Sequence, residues 1–392
     1  MATRSGGPSS SRYVSVAGIL AIARNADEAQ ISVIVSSRVS KSAGVGVLVL
    51  LASIVMGLLP VQLAVAASAA GSGVASQQAV YQGLLAGEPR PAGRQNAAFA
   101  YDPRLREFVL FGGQSATTVL GDTWIRRHAS WIRLHPARAP SARTGAALVY
   151  DRATRQLLLF GGSSKPAFGG GFSNQTWIWT GTTWRQLHPA ASPRPRHAAD
   201  MIYDAATHEV ILFGGFGGVY LDDTWSWNGT TWHRLHPSNS PSPRDTEALV
   251  YDPASKMAIL YGGFSLATGR LTDTWSWNGR TWLHLRPATS PGRVSVGWQA
   301  AFDAASRQVL LFGGDTDSGP PGNGTWKWNG STWVQLDPAL SPPGRGGGTM
   351  TYDSTSKRLY LFGGFTNAAM TKFPRTTWRW NGKTWHPAAR QP

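Results

Sequence analysis

An aromatic residue followed by two glycines recurs six times in this chain, at Phe111, Phe160, Phe213, Tyr261, Phe312 and Phe362, with intervals of 49, 53, 48, 51 and 50 residues. Self-similarity at a period near 50 constrains the fold more than any other feature. A unit of that length holds one supersecondary element that cannot bury its apolar face alone, so the units must stack.

Each unit resolves into four short strands. The first ends in an aromatic followed by Asp: Tyr101-Asp102, Tyr150-Asp151, Tyr203-Asp204, Tyr251-Asp252, Phe302-Asp303 and Tyr352-Asp353. The second, as in "EVILFGG", is nearly continuous in apolar residues and is expected to be buried on both faces. In the turn between them a basic residue follows the Asp by four places, as in Asp102 with Arg106, Asp303 with Arg307 and Asp353 with Lys357. These read as structural ion pairs of modest worth. The third strand carries "TWxW" and the fourth begins "TW", with Asn-Gly between them at Asn228, Asn278, Asn329 and Asn381. Asn-Gly between strand-like runs predicts a tight type I′ hairpin. Four-stranded antiparallel meanders repeated radially make a β-propeller.

The spacing, the Gly-Gly doublets, the fourth-strand Trp and the Arg that opens each unit resemble kelch-repeat β-propeller proteins over about residues 94 to 387. The expected fold is all-β, a six-bladed propeller of four-stranded antiparallel blades over 94–388, like the central propeller of galactose oxidase. The resemblance says little of function, since the family spans interaction scaffolds, adaptor domains, a copper oxidase and sugar-modifying enzymes. Kelch rings often close by lending a strand from one terminus to the other. Here the first and last units each read as complete, which puts strand exchange in doubt.

Of the 18 tryptophans, all but Trp298 sit at third- or fourth-strand repeat positions. A residue that every blade demands is explained most simply by blade-to-blade packing, with sugar stacking as the competing reading. Trp298 lies in a first-strand segment lengthened by two residues and is expected to face the central channel.

Residues 43–59 carry no charged side chain, follow Arg38 and Lys41, and lead to Pro60 and the small-residue patterns Ala64–Ala66 and Ala67–Ala69. That pattern reads as a signal peptide or an uncleaved anchor within an amino-terminal extension of residues 1–69, followed by a linker over 70–93. The expected location is secreted or cell-surface, with a membrane met only through the anchor and no genomic nucleic-acid partner.

The formal net charge is +16, with 30 Arg against 7 Lys and no cysteine. Strand parity puts the loops after Gly-Gly on the same face as the unit-opening arginines Arg94, Arg143, Arg196, Arg244, Arg293 and Arg345, which are expected to ring the channel mouth. At a separation of ~10 Å and an effective dielectric of ~20, neighbouring guanidinium groups would repel by about 1.7 kcal/mol. Asp122, Asp223 and Asp273 can neutralise three of them, whereas Gln175, Gly324 and Thr376 replace the acid in blades two, five and six. The six arginines and Trp298 are the candidate ligand-binding residues, and the expected partner is an acidic glycan, a cell-surface polymer or a protein met by a monomeric propeller.

No cofactor or metal site is expected. His135, His188 and His236 end outermost strands on successive blades, too far apart to share an ion, and "DTDSG" from Asp315 lacks the remaining ligands of a calcium loop. A copper-radical oxidase needs a Tyr crosslinked to Cys, so the absence of cysteine excludes that chemistry. A binding module is therefore the leading reading. The alternative is a hydrolase or sugar isomerase, for which only Asp200, Asp245 and Glu247 offer acids near the mouth.

Overall fold

The computed structural model describes residues 90–388, apart from 128, 167–168, 293–296 and 315–318, together with four amino-terminal strands as backbone. The chain divides into two compact units, Met1–Glu88 and Pro89–Pro392. In the first, Ala21–Arg24, Gln30–Ser36, Val49–Val55 and Gln62–Ala66 form an antiparallel sheet in chain order. Of the apolar run 43–59, Val49–Val55 is thus a strand and the rest lies outside the described residues. Among the described residues no helix is long and apolar enough to cross a membrane.

The second unit is a six-bladed β-propeller. Each blade is a four-stranded antiparallel sheet with its strands in chain order from the channel outward. Blade three is representative, with strands Asp200–Asp204, Glu209–Phe213, Thr224–Trp227 and Trp232–Leu235. The core is divided among the six seams between blades. Because side chains alternate along a strand, Ala98 and Ala100 of blade one join the seam with blade two, and Phe99 and Tyr101 join the seam with blade six. Second strands serve two seams at once, which is why they read as unbroken apolar runs and are buried throughout, as in Val210–Phe213.

Trp occupies these seams. The first Trp of each fourth strand donates its indole N–H to a threonine hydroxyl opening the third strand of the preceding blade, as in Trp232 to Thr176 and Trp282 to Thr224, both at 3.0 Å. The second Trp of "TWxW" packs tilted against it, Trp227 on Trp232 at 5.4 Å between ring centroids. The fourth-strand Trp and the second Trp of "TWxW" are therefore wall and not ligand platform, whereas the first Trp of "TWxW" stays partly exposed in blades three and five, at Trp225 and Trp326.

That packing also corrects the expected hairpin. Trp227 pairs directly opposite Trp232, leaving four residues in the loop. Asn228 is not in the left-handed region, and only Gly229 is, at φ 96°. The Asn228 side-chain oxygen accepts the amides of Thr230 and Thr231 at 3.0 Å, so Asn acts as a turn cap and not as half of a type I′ turn.

The ring closes without strand exchange. Gly364 donates to the Arg94 carbonyl at 2.8 Å, as Gly113 does to that of Arg143 and Gly215 to that of Arg244, so the last blade treats the first as its next neighbour.

Candidate functional site

The unit-opening arginines do not ring an open mouth. Arg94, Arg143, Arg196, Arg244 and Arg345 are all 3% exposed or less. Arg293 lies outside the described residues. Each of the five donates Nη1 to the carbonyl of the glycine eighteen residues on and Nε to the carbonyl two residues back. They tie the entry of a blade to its Gly-Gly turn. Asp122, Asp223 and Asp273 hold Arg94, Arg196 and Arg244 in bidentate pairs, and these charges keep all three carboxyls below the usual carboxylate range despite burial. Arg143 has the neutral Gln175 instead, at 2.7 Å. Among the described residues Arg345 has no carboxylate partner, and its Nη2 is buried without a hydrogen-bond partner. Burial brings both of these guanidinium groups down to about 10.

Trp298 does line the channel, but as part of the wall. It is 7% exposed, meets Tyr261 edge-on at 5.7 Å, and joins the seam between blades four and five with Val309 and Trp333. The channel itself is a cavity of about 490 Å³ bounded by the inner strands, whose small residues, such as Ala98, Ala146, Ala199 and Gly348, leave the axis open.

At the Gly-Gly end, the residue two places after the opening Arg adopts a positive φ: Asn96, Gly145, Ala198, Thr246 and Gly347 in five blades, between 50° and 63°. Backbone bonds link four of these steps, Asn96 to the Gly347 carbonyl, Gly145 to Asn96, Ala198 to Gly145 and Thr246 to Ala198, at 2.8 to 3.1 Å. A left-handed β-branched residue such as Thr246 is strained, and strain of this kind gathers at functional positions.

Beside this collar the three acids come together at the seam of blades three and four. Glu247 is 4% exposed and neither of its carboxyl oxygens has a hydrogen-bond partner. Burial first, then the charges of Asp200 and Asp245, raise it well above the usual range, offset in part by its own amide and Arg244. Burial pushes Asp245 up to about 7. Asp200, whose oxygens accept the amides of Met201 and Leu249, is pushed up to about 6, burial outweighing both bonds. His197, buried nearby in blade three, is lowered by burial to about 4 and is neutral at pH 7.

Over blades two to four, the loops after Gly-Gly and His197, beside the opening Arg196, carry a continuous run of rings that the six-fold repeat does not single out. Phe172 stacks on His197 at 5.4 Å, His197 meets Phe216 at 5.9 Å, Phe216 meets Tyr220 at 4.9 Å, and Tyr220 meets Phe264 at 5.9 Å. The four rings other than His197 are partly exposed. Phe264 pairs through its backbone with Asp245, and the Asp245 charge, after burial, helps push the Tyr220 phenol up to about 12. The signal available in sequence was that the residue after Gly-Gly is Gln114 or Ser163 in blades one and two but Phe216 and Phe264 in blades three and four.

Among the described residues no group of His, Cys, Asp or Glu is arranged to hold a metal ion. The DTDSG segment at Asp315 lies outside them, apart from Gly319. His135, His188 and His236 are exposed just past the ends of outer strands, separate from the collar. No protein-family model matches the chain, and no curated protein matches it either.

Proposed function

We propose that the chain is a kelch-type propeller acting outside the cytoplasm as a glycan-binding module, with its ligand lying across the Gly-Gly face of blades two to four. The observation that carries this is the run Phe172, Phe216, Tyr220 and Phe264, backed by the buried His197: partly exposed rings in mutual contact form a ledge on which sugar faces can stack, on loops held by a rigid scaffold. Phe172 and Tyr220 stand outside the repeat positions, and Phe216 and Phe264, which follow Gly-Gly, stay partly exposed where the equivalent Phe365 is buried. In this reading Arg94, Arg143, Arg196, Arg244 and Arg345 act as struts that fix the loops, their guanidinium groups buried away from a ligand.

The test is a glycan array probed with the full chain and with a Phe172→Ala, Phe216→Ala variant. Loss of all retained glycans with an unchanged melting temperature supports the ledge. Retention in the variant refutes it.

A second reading, a hydrolase or sugar isomerase, is favoured by one observation: Glu247 is buried within reach of the charges of Asp200 and Asp245, and burial brings those two carboxyls up to about 6 and 7, where they can exchange protons near neutrality. Release of reducing sugar from an array hit, abolished in Glu247→Gln, would place that chemistry here. Binding without turnover would discard it.

A further inference from the structure

The structure puts its open cationic ring on the face opposite the collar. Each first turn ends in a residue at φ 55° to 60°: Arg106, Arg155, His208, Lys256, Arg307 and Lys357. All six are exposed. The ion pairs expected between these residues and the Asp four places before them do not form. Among the described residues the sole ion pair of any of the six turn aspartates joins Asp102 to Arg104, at 3.5 Å. The aspartates are instead buried and turned inward onto the turn, where Asp151 accepts the amides of Ala153 and Thr154, and Asp353 those of Thr355 and Ser356.

Folding alone would choose other residues there. A left-handed position favours Gly or Asn, and a long side chain adds strain at each tip. Yet none of the six is Gly or Asn, and five are Arg or Lys. The turn residues 103–106, 152–155, 205–208, 253–256, 304–307 and 354–357 include no Asp or Glu, while the exposed Arg104 and Arg152 add two further cations. Arg and Lys alternate freely at the tip, so the shared property is charge and not the bidentate fork that a defined carboxylate or phosphate pocket would need.

Six equivalent turns of one propeller stand at one level, so their charges can meet a plane together, whereas a single extended polymer crosses only neighbouring tips. We propose that this face docks on an anionic lipid bilayer, the turn cations meeting phosphate headgroups. The site is separate from the aromatic ledge and does not depend on it.

The experiment measures partition of the full chain between buffer and vesicles of phosphatidylcholine, with and without phosphatidylglycerol. The ratio of the two partition coefficients cancels any insertion by the apolar amino-terminal run. The variant is Arg106→Asn, Arg155→Asn, Arg307→Asn, Lys357→Asn, which removes four charges and places at each tip a residue that tolerates positive φ, so its melting temperature should match or exceed the parent's. The phosphatidylglycerol preference should fall by at least ~10-fold, and the parent's preference should fall as salt rises. A control with Arg133→Gln and Arg185→Gln, exposed on outer strands, should keep it. No preference in the parent, a preference insensitive to salt, or equal losses in variant and control would overturn the proposal. So would heparin capture that depends on these four residues while vesicles show no preference, which would assign the face to an acidic polymer. Should the fourfold variant not fold, Arg155→Asn, Arg307→Asn and the parent's salt series decide the matter.

Discussion

Trp131 of blade one donates its indole N–H to the hydroxyl of Thr377 in blade six, at 3.3 Å. The same bond joins Trp184 to Thr123, Trp232 to Thr176, Trp282 to Thr224, Trp333 to Thr274 and Trp385 to Thr325, so one buried pair recurs at all six seams and the first and last blades meet on equal terms.

Trp131→Phe keeps most of the ring and removes this bond, leaving the Thr377 hydroxyl buried without its donor. Stability should fall by about 1–3 kcal/mol. Urea unfolding should show a lower midpoint in a single transition. An unchanged midpoint would mean that closure does not draw on the pair.

Arg244 and Arg345 occupy the same position in different blades, but Arg244 neutralises Asp273 while, among the described residues, no acid pairs with Arg345. Arg244→Met strands a largely buried carboxylate and should cost up to ~3–5 kcal/mol, discounted because Asp273 keeps some exposure. Arg345→Met removes an uncompensated buried charge while keeping an apolar stem, and should cost at least ~1 kcal/mol less. Paired urea titrations check this, and equal losses would show that the carbonyl bonds alone matter.

Ala198 is left-handed at φ 52° in the collar. Relief of that strain is about 1–2 kcal/mol, against roughly 0.5–1 kcal/mol of added chain entropy for glycine. Ala198→Gly should therefore raise the melting temperature slightly. A fall would show that the collar is held at no cost.

Asp200, Asp245 and Glu247 all have carboxyls raised in the folded state, Asp200 to about 6 and Asp245 to about 7. The folded protein holds protons that the unfolded chain has released, so these groups contribute stability below the ordinary carboxylate range that is lost as pH rises through 6 and 7. Asp122, Asp223 and Asp273 act in the opposite sense, supporting the fold above the ordinary carboxylate range and losing that contribution as pH falls through their lowered values. Glu247→Gln should flatten the loss on the alkaline side. Melting temperature against pH, with a wild-type slope unchanged in Glu247→Gln, would rule out this assignment.

Local patterns in the chain carried the architecture. Six Gly-Gly doublets, unbroken apolar second strands and paired Trp determined the number of blades, the strand order and which strands are buried, because a strand's burial follows from its own side-chain period and the repeat supplies identical neighbours. The pairing of Arg94, Arg196 and Arg244 with acids of the same face was also legible, from strand parity alone. The depth of those arginines was not, since it depends on carbonyls eighteen residues away and on the next blade closing over them. The meeting of Asp200, Asp245 and Glu247 across a seam, and of Phe172, Phe216, Tyr220 and Phe264 over three blades, was likewise decided only in the tertiary structure. Those contacts run from one blade to the next, and the distances between their members are set by how whole blades pack.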